Sequence, residues 1–305
     1  MAKAVLAGGR GFLGQALARA LTAAGWEVVV LSRDARTDAP FREVQWNGET
    51  GGAWAAELEG AATLVNLAGR SINCVHTLEN SRAIVDSRLG AVRALAKGWA
   101  RAKHPPAAWV QASATGFYGN AGDRFCEETL PPGPGFLAEV CRLWEEAFAA
   151  VDLPETRRVV LRLGPVLDRQ TGPFPALLGL TRKFLGGAAG TGRQYMSWVH
   201  RDDAVAMLAA AVMQPELSGT YNACAPGAVT NAEFMRELRA AVGRPWCPAA
   251  PEFAVRIFAD KFFHTDANLA LHGQRCAPQK FLATGFKFKH PAIGGAIRDL
   301  TFKEF

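Results

Sequence analysis

The feature that most constrains this chain is a short apolar strand followed at once by a glycine turn. Ala4–Ala7 is apolar, and Gly8-Gly9-Arg10-Gly11-Phe12-Leu13-Gly14 comes next. Helical spacing then sets in, with Leu13, Leu17, Ala20, Leu21 and Ala24 recurring on one face and Gly25 closing the run. A strand, a tight turn and a helix start make a phosphate cradle, because a helix N-terminus presents free N–H groups and a positive dipole end. Gly8 permits the sharp turn, Gly11 puts no side chain in the way of a pyrophosphate, and Gly14 lets the helix sit close to the strand. The motif stands in the strand-to-helix context it requires, which points to a dinucleotide site.

Further buried strands are expected at Val28–Leu31, Thr63–Leu67, Trp109–Ser113, Arg158–Leu163 and Gly219–Ala223, with a short one at Val44–Trp46. Between them the spacing predicts a short helix around Ala53–Leu58, a long one over Glu79–Lys103, one at about Phe136–Ala150 and a core helix at Ala204–Met213. Asp202 or Asp203 is expected to cap that core helix. Thr230-Asn231-Ala232-Glu233 has capping-box spacing and opens a helix running to Gly243. Strands alternating with helices predict an α/β fold with a doubly wound parallel sheet and right-handed crossovers. Residues 168–195 are rich in Gly, Pro and Leu and read as a lobe laid over the sheet.

Composition narrows the function classes. The net charge of +6 comes from 34 Lys and Arg that are scattered, with no run of five like charges. That favours a solvated surface and an anionic cofactor over nucleic acid. The six cysteines contain no Cys-x-x-Cys, and their spacing implies neither zinc nor a disulfide framework, so reduced thiols in the cytoplasm are expected. Met1-Ala2-Lys3 leads straight into the first strand, so no signal peptide is expected. The longest apolar helical stretch is too short to span a bilayer, so no membrane partner is expected.

Arg33 lies nineteen residues beyond Gly14, where this fold distinguishes its cofactors. An acidic residue there takes ribose hydroxyls, whereas Arg accepts a 2′-phosphate. Ser32-Arg33 therefore favours NADP(H) over NAD, with Arg10 across the adenine end. A charge-assisted bond to phosphate contributes roughly 1.5–3 kcal/mol, or about ten- to a hundredfold in affinity. A shift of one residue at the strand end would instead bring Asp34 to ribose hydroxyls, so NAD stays open as the less favoured alternative.

Gly8–Gly14 with Asn66-Leu67-Ala68-Gly69 resembles the extended short-chain dehydrogenases/reductases. More narrowly, the chain resembles their atypical epimerase-family group. The carrying motifs are Ser87-Arg88, Ser113-Ala114-Thr115-Gly116-Phe117-Tyr118-Gly119, the run Gly190–His200, Gly273-Gln274-Arg275 and Gly285-Phe286-Lys287-Phe288. The resemblance implies a Rossmann domain of residues 1–167 plus about 196–226, and a smaller C-terminal α+β substrate lobe of about 168–195 and 227–305. It implies that Asn66, Leu67, Ala68 and Gly69 line the cofactor, that Arg88 reaches its phosphates and that Gly164, Pro165 and Val166 lie near the nicotinamide. It also implies that Arg193 and Gln194 contact an unknown small-molecule substrate.

The departure from that family is chemical. Its hydride chemistry uses a Tyr with a Lys four residues later, the cation lowering the Tyr pKa. Here the tyrosines are Tyr118, Tyr195 and Tyr221, followed at that spacing by Gly122, Val199 and Ala225. The aligned helix carries Leu137 and Cys141 at the two positions. Ser113, or Thr115, can stand for the family's Ser, and Tyr118 is the candidate acid. Cys141 lies on an apolar stripe with Leu137, Val140, Trp144 and Phe148 and reads as a buried thiol. His200, before Asp202-Asp203, reads as a histidine bonded at a helix start, and with no second His at ligand spacing no metal site is expected. Two functions follow: an NADP(H)-dependent oxidoreductase or epimerase with an unusual proton donor, or a non-catalytic NADP(H)-binding sensor or scaffold.

Overall fold

The computed structural model describes residues 1–302. Thirteen strands and ten α-helices lie within them. The strands are β1 Lys3–Ala7, β2 Glu27–Ser32, β3 Arg42–Gln45, β4 Thr63–Asn66, β5 Ala108–Ala114, β6 Phe125–Cys126, β7 Arg157–Leu163, β8 Val166–Leu167, β9 Tyr195–Met196, β10 Val199–His200, β11 Gly219–Ala223, β12 Val229–Thr230 and β13 Arg275–Cys276. The helices are α1 Phe12–Ala23, α2 Leu78–Trp99, α3 Phe136–Ala149, α4 Phe174–Arg182, α5 Arg201–Met213, α6 Asn231–Ala241, α7 Glu252–Lys261, α8 Asn268–Leu271, α9 Gln279–Ala283 and α10 Ile293–Phe302.

Seven strands form one sheet in the order β3-β2-β1-β4-β5-β7-β11, and every pair in it is parallel. The order reverses between β1 and β4, so the crevice at their carboxyl ends is where such a sheet takes a ligand. This is the doubly wound sheet that the strand-helix rhythm predicts.

The central strands are largely apolar because both faces are covered, whereas the edge strand β3 is polar. One face packs Leu6, Val30, Val65, Val110 and Leu161 against α1 and α5. The other packs Val5, Val29, Leu64, Trp109 and Val160 against α2 and α3. Burying a Leu or Val side chain contributes about 1.5–3 kcal/mol, so these two layers supply the main driving force. A third cluster joins α4, α6 and α10 around Phe174, Phe234 and Ile297.

The capping box of α6 forms as its spacing predicts, with Thr230 and Glu233 bonded both ways. The cap of the core helix differs from expectation. The helix begins at Arg201, and His200 caps it, its Nδ1 accepting from the Asp202 N–H at 3.1 Å. Asp202 and Asp203 fall in the first turn, and Asp203 instead accepts from the Lys289 and His290 N–H groups at 2.7 and 2.9 Å. A ring nitrogen one residue earlier had satisfied the helix, which left the carboxylate for the lobe.

Candidate functional site

The Gly8–Gly14 turn closes on itself and on the loop after β4. Gly8 has φ +75°, and a Cβ on it would lie 2.8 Å from the Ala68 backbone N. A Cβ on Gly14 would lie 2.5 Å from the Gly9 Cα, so α1 starts flush against the turn. A Cβ on Gly11 meets only the Gly8 carbonyl, at 3.4 Å, and otherwise points into open space. Gly11 is the N-cap of α1 and gives it no side-chain cap, and no acidic residue stands in the first turn. The first N–H groups of α1 thus face outward without a partner from a capping side chain.

The rim of the cradle is cationic. Arg10 reaches from the turn to the end of β2, donating to the Asp34 carbonyl at 2.5 Å and lying 3.7 Å from Glu43. Ser32 is buried, and its Oγ accepts from the Asp34 N–H at 3.2 Å. Arg33 and Asp34 follow it on the surface. The Arg33 carbonyl is held by Gln45, which fixes the main chain and leaves the guanidinium exposed.

From the cradle a chain of contacts runs along the carboxyl edge of the sheet. Asn66 is buried, donates to Gln111 at 3.0 Å and accepts from the Ala68 N–H at 3.1 Å, which shapes the turn beside Gly8. Arg88 comes up from α2 against Gly69. It donates to the Arg70 and Ile84 carbonyls at 3.1 and 2.9 Å, and its guanidinium lies 4.9 Å from the Trp144 ring centroid. Burial lowers the Arg88 pKa. Next to it is Cys141, whose thiol is pushed up to about 11 by burial, with the Arg88 charge opposing. Such a thiol is an inert packing element, as the stripe predicts.

Beyond Cys141 lies a buried polar network that the Ser113–Gly119 motif announces only in part. Ser113 and Arg162 are register partners on β5 and β7. Ser113 Oγ donates to Glu145 on α3 at 2.6 Å, and Arg162 clasps the same carboxylate through two bonds of 2.9 and 2.8 Å. The Arg162 guanidinium also stacks 3.5 Å from the Phe117 ring centroid and donates to the Tyr118 hydroxyl at 2.9 Å. Burial acts against the Arg162 charge, but the Glu145 pairing outweighs it and its pKa is raised. Tyr118 is fully buried and donates its proton to Asn222 at 2.7 Å. Burial drives its pKa upward, against the pull of Arg162.

The remaining predicted positions are dispersed. Gly164 follows β7 and packs directly on Ser197, with no room for a Cβ, while Pro165 is exposed and Val166 enters β8. Gln194 is tied to the lobe, donating to the Ala189 and Ala270 carbonyls at 3.0 and 2.7 Å. Arg193 is exposed. Sequence spacing also missed a neighbour of His200. His290, ninety residues on, stacks on it at 3.7 Å between ring centroids, and Asp299 lies 3.4 Å from His200 Nε2. Because His200 Nδ1 accepts the Asp202 N–H, a neutral ring carries its proton on Nε2 and offers no lone pair there. The ligand atoms of His200, His290 and Asp299 lie within 4.8 Å of one another, a grouping the sequence spacing did not foresee.

Known proteins are similar to this chain over nearly all of it. The NAD dependent epimerase/dehydratase family matches residues 4–138, and a domain of unknown function matches residues 250–300. An epimerase family protein of Mycobacterium leprae is 36% identical over 293 residues, covering 96% of this chain and 93% of the relative. The chain belongs to the epimerase family proteins. The human epimerase family protein SDR39U1 is 34% identical over 304 residues, covering 98% of this chain and 99% of the human one. A crystal structure of that human protein, isoform 2 with NADPH, superposes with a TM-score of 0.87 at 31% identity, covering 98% of each chain. Among the described residues of this epimerase family protein, no helix is long and apolar enough to cross a membrane.

Proposed function

We propose that this chain holds NADP(H) and acts on a small-molecule substrate as an oxidoreductase or epimerase of the extended short-chain class, without a Tyr-x-x-x-Lys pair. The observation that carries the reading is the start of α1, uncapped by any side chain and opened to solvent by Gly11. The residues present fit a dinucleotide. The main chain of Gly8–Gly14 takes the pyrophosphate, and Ser32, Arg33 and Arg10 take the 2′-phosphate end. The NADPH in the human relative supports the same preference.

When bound, the cofactor supplies the ring that gives or accepts hydride. The chain supplies the surroundings. Asn66, Leu67, Ala68 and Gly69 form the floor, and Gly164, Pro165 and Val166 border the far end. Arg88 delivers from α2, beside Cys141, the positive charge that the family's Lys delivers from α3. Ser113 and Tyr118 serve this site as positioning residues: their hydroxyls are committed to Glu145 and Asn222 and fix β5 and the turn after it. Arg193 is the proposed substrate contact from the lobe, with Gln194 holding its loop. A cytoplasmic setting is part of this reading.

One observation favours the second reading, a non-catalytic NADP(H) sensor or scaffold. The Ser113 and Tyr118 protons are both donated within the protein, and the Cys141 thiol is buried. Stereospecific transfer from deuterated NADPH to a panel of carbonyl compounds separates the two. Transfer above the protein-free rate supports the oxidoreductase. NADPH binding at micromolar strength with no transfer to any member sinks it and leaves the sensor.

A further inference from the structure

Besides Cys141, three thiols gather behind the Thr115–Tyr118 turn. Cys126 on β6, Cys224 just past β11 and Cys276 on β13 pack with Phe117 and Tyr118. Cys126 and Cys276 are direct partners in a two-stranded parallel ladder. Neighbouring strands lie about 4.8 Å apart, and register partners turn their side chains to the same face. That separation falls inside the Cα range of roughly 4.4–6.8 Å that a disulfide spans. Both residues are buried, at 0% and 1% exposure, and the Cys126 thiol donates to the Arg124 carbonyl at 3.5 Å. The adjacent Cys276 thiol draws the Cys126 thiol down to about 7 against its burial, helped by the Arg275 N–H and the Arg124 charge. Burial pushes Cys276 upward. Of the two, Cys126 is the easier to ionise.

We propose that Cys126 and Cys276 form a reversible dithiol–disulfide pair, oxidised by a hydroperoxide, that locks β13 of the C-terminal lobe onto β6. The Cys126 thiolate attacks a peroxide oxygen and the O–O bond breaks. The sulfur becomes a sulfenic acid, and the departing oxygen takes a proton and leaves as water or an alcohol. The Cys276 thiol then attacks that sulfur. The S–S bond forms, and the sulfenic hydroxyl leaves with the Cys276 proton as water. The pair has lost two electrons, the peroxide has gained them, and a small dithiol restores the original state by exchange. Access is short: the flanking register partners Phe125 and Arg275 are both exposed, and each strand of the ladder has only two residues. So small an element opens at low cost. The proposal does not depend on which reading of the cofactor site is correct.

The test treats the full chain with hydrogen peroxide, blocks free thiols, digests without reductant and maps the linked peptides. The expected product joins Cys126 to Cys276 and disappears with dithiothreitol. In Cys276→Ser, Cys126 should persist as a sulfenic acid captured by a dione probe. In Cys126→Ser, oxidation of Cys276 should slow more than tenfold. A Cys224–Cys276 link overturns the assignment, as does oxidation confined to Cys74 and Cys247.

Discussion

The Ser113 hydroxyl and the Glu145 carboxylate are 2.6 Å apart, and Arg162 holds that same carboxylate from the other side. The helix α3 is thereby pinned to β5 and β7 at one polar point within an apolar layer. Arg162→Leu removes one partner and leaves the half-buried Glu145 without its countercharge. The expected cost is about 3–5 kcal/mol in urea unfolding. Arg162→Leu combined with Glu145→Leu should recover much of it, because no orphan charge remains.

The cradle separates folding from binding at adjacent glycines. Gly11→Ala adds a Cβ that meets nothing but the Gly8 carbonyl, so the urea midpoint should hardly move. That methyl stands where a pyrophosphate would approach, and NADPH affinity by calorimetry should fall at least tenfold. Gly14→Ala drives a Cβ into the Gly9 backbone and should instead destabilise the protein with or without cofactor.

Arg33→Ala should weaken NADPH by about ten- to a hundredfold, the worth of one charge-assisted bond, and leave NADH nearly unchanged. Equal loss on both cofactors would overturn the NADP assignment and turn attention to Asp34.

Tyr118→Phe deprives Arg162 of an acceptor and Asn222 of a donor. Leaving buried polar groups unsatisfied costs about 1–3 kcal/mol, so the urea midpoint should drop. Hydride transfer, measured at a temperature where the variant is folded, should change less than tenfold. A hundredfold loss would make Tyr118 the acid rather than a positioning residue.

Acid should weaken the fold through His200. Burial first, and the neighbouring His290 second, hold its pKa down to about 4, below the ordinary 6.5. Between those values the unfolded chain binds a proton that the folded chain refuses. Stability is therefore full above about pH 6.5 and declines as the pH falls towards 4, by about 3 kcal/mol from this group. His200→Asn keeps an acceptor for the Asp202 N–H but cannot titrate there, and it should flatten that slope in urea midpoints measured from pH 4 to 7.

The sheet was legible because its central strands are largely apolar on both faces and end at turn residues. The cradle was legible because its glycines are adjacent in sequence. Ser113 was visible as a motif, but the carboxylate it serves was not. Glu145 and Arg162 meet only through the β5–β7 register and the seat of α3, which leave no local spacing to read. His290 on His200, and Cys276 beside Cys126, are likewise products of the C-terminal lobe folding back. The cap of α5 went to His200 because a ring nitrogen can act as an acceptor, which the preference for Asp at such positions conceals.

Gly8, Gly11 and Gly14 build the cradle from the main chain and from the absence of side chains. A surface of that kind has no graded variants, since almost any replacement is a clash or an obstruction. Arg33 at its rim is different: its exposed guanidinium can be exchanged by a single substitution while Gln45 keeps the backbone beneath in place. Over evolutionary time, a protein so made can change which dinucleotide it prefers far more readily than it can give up holding one.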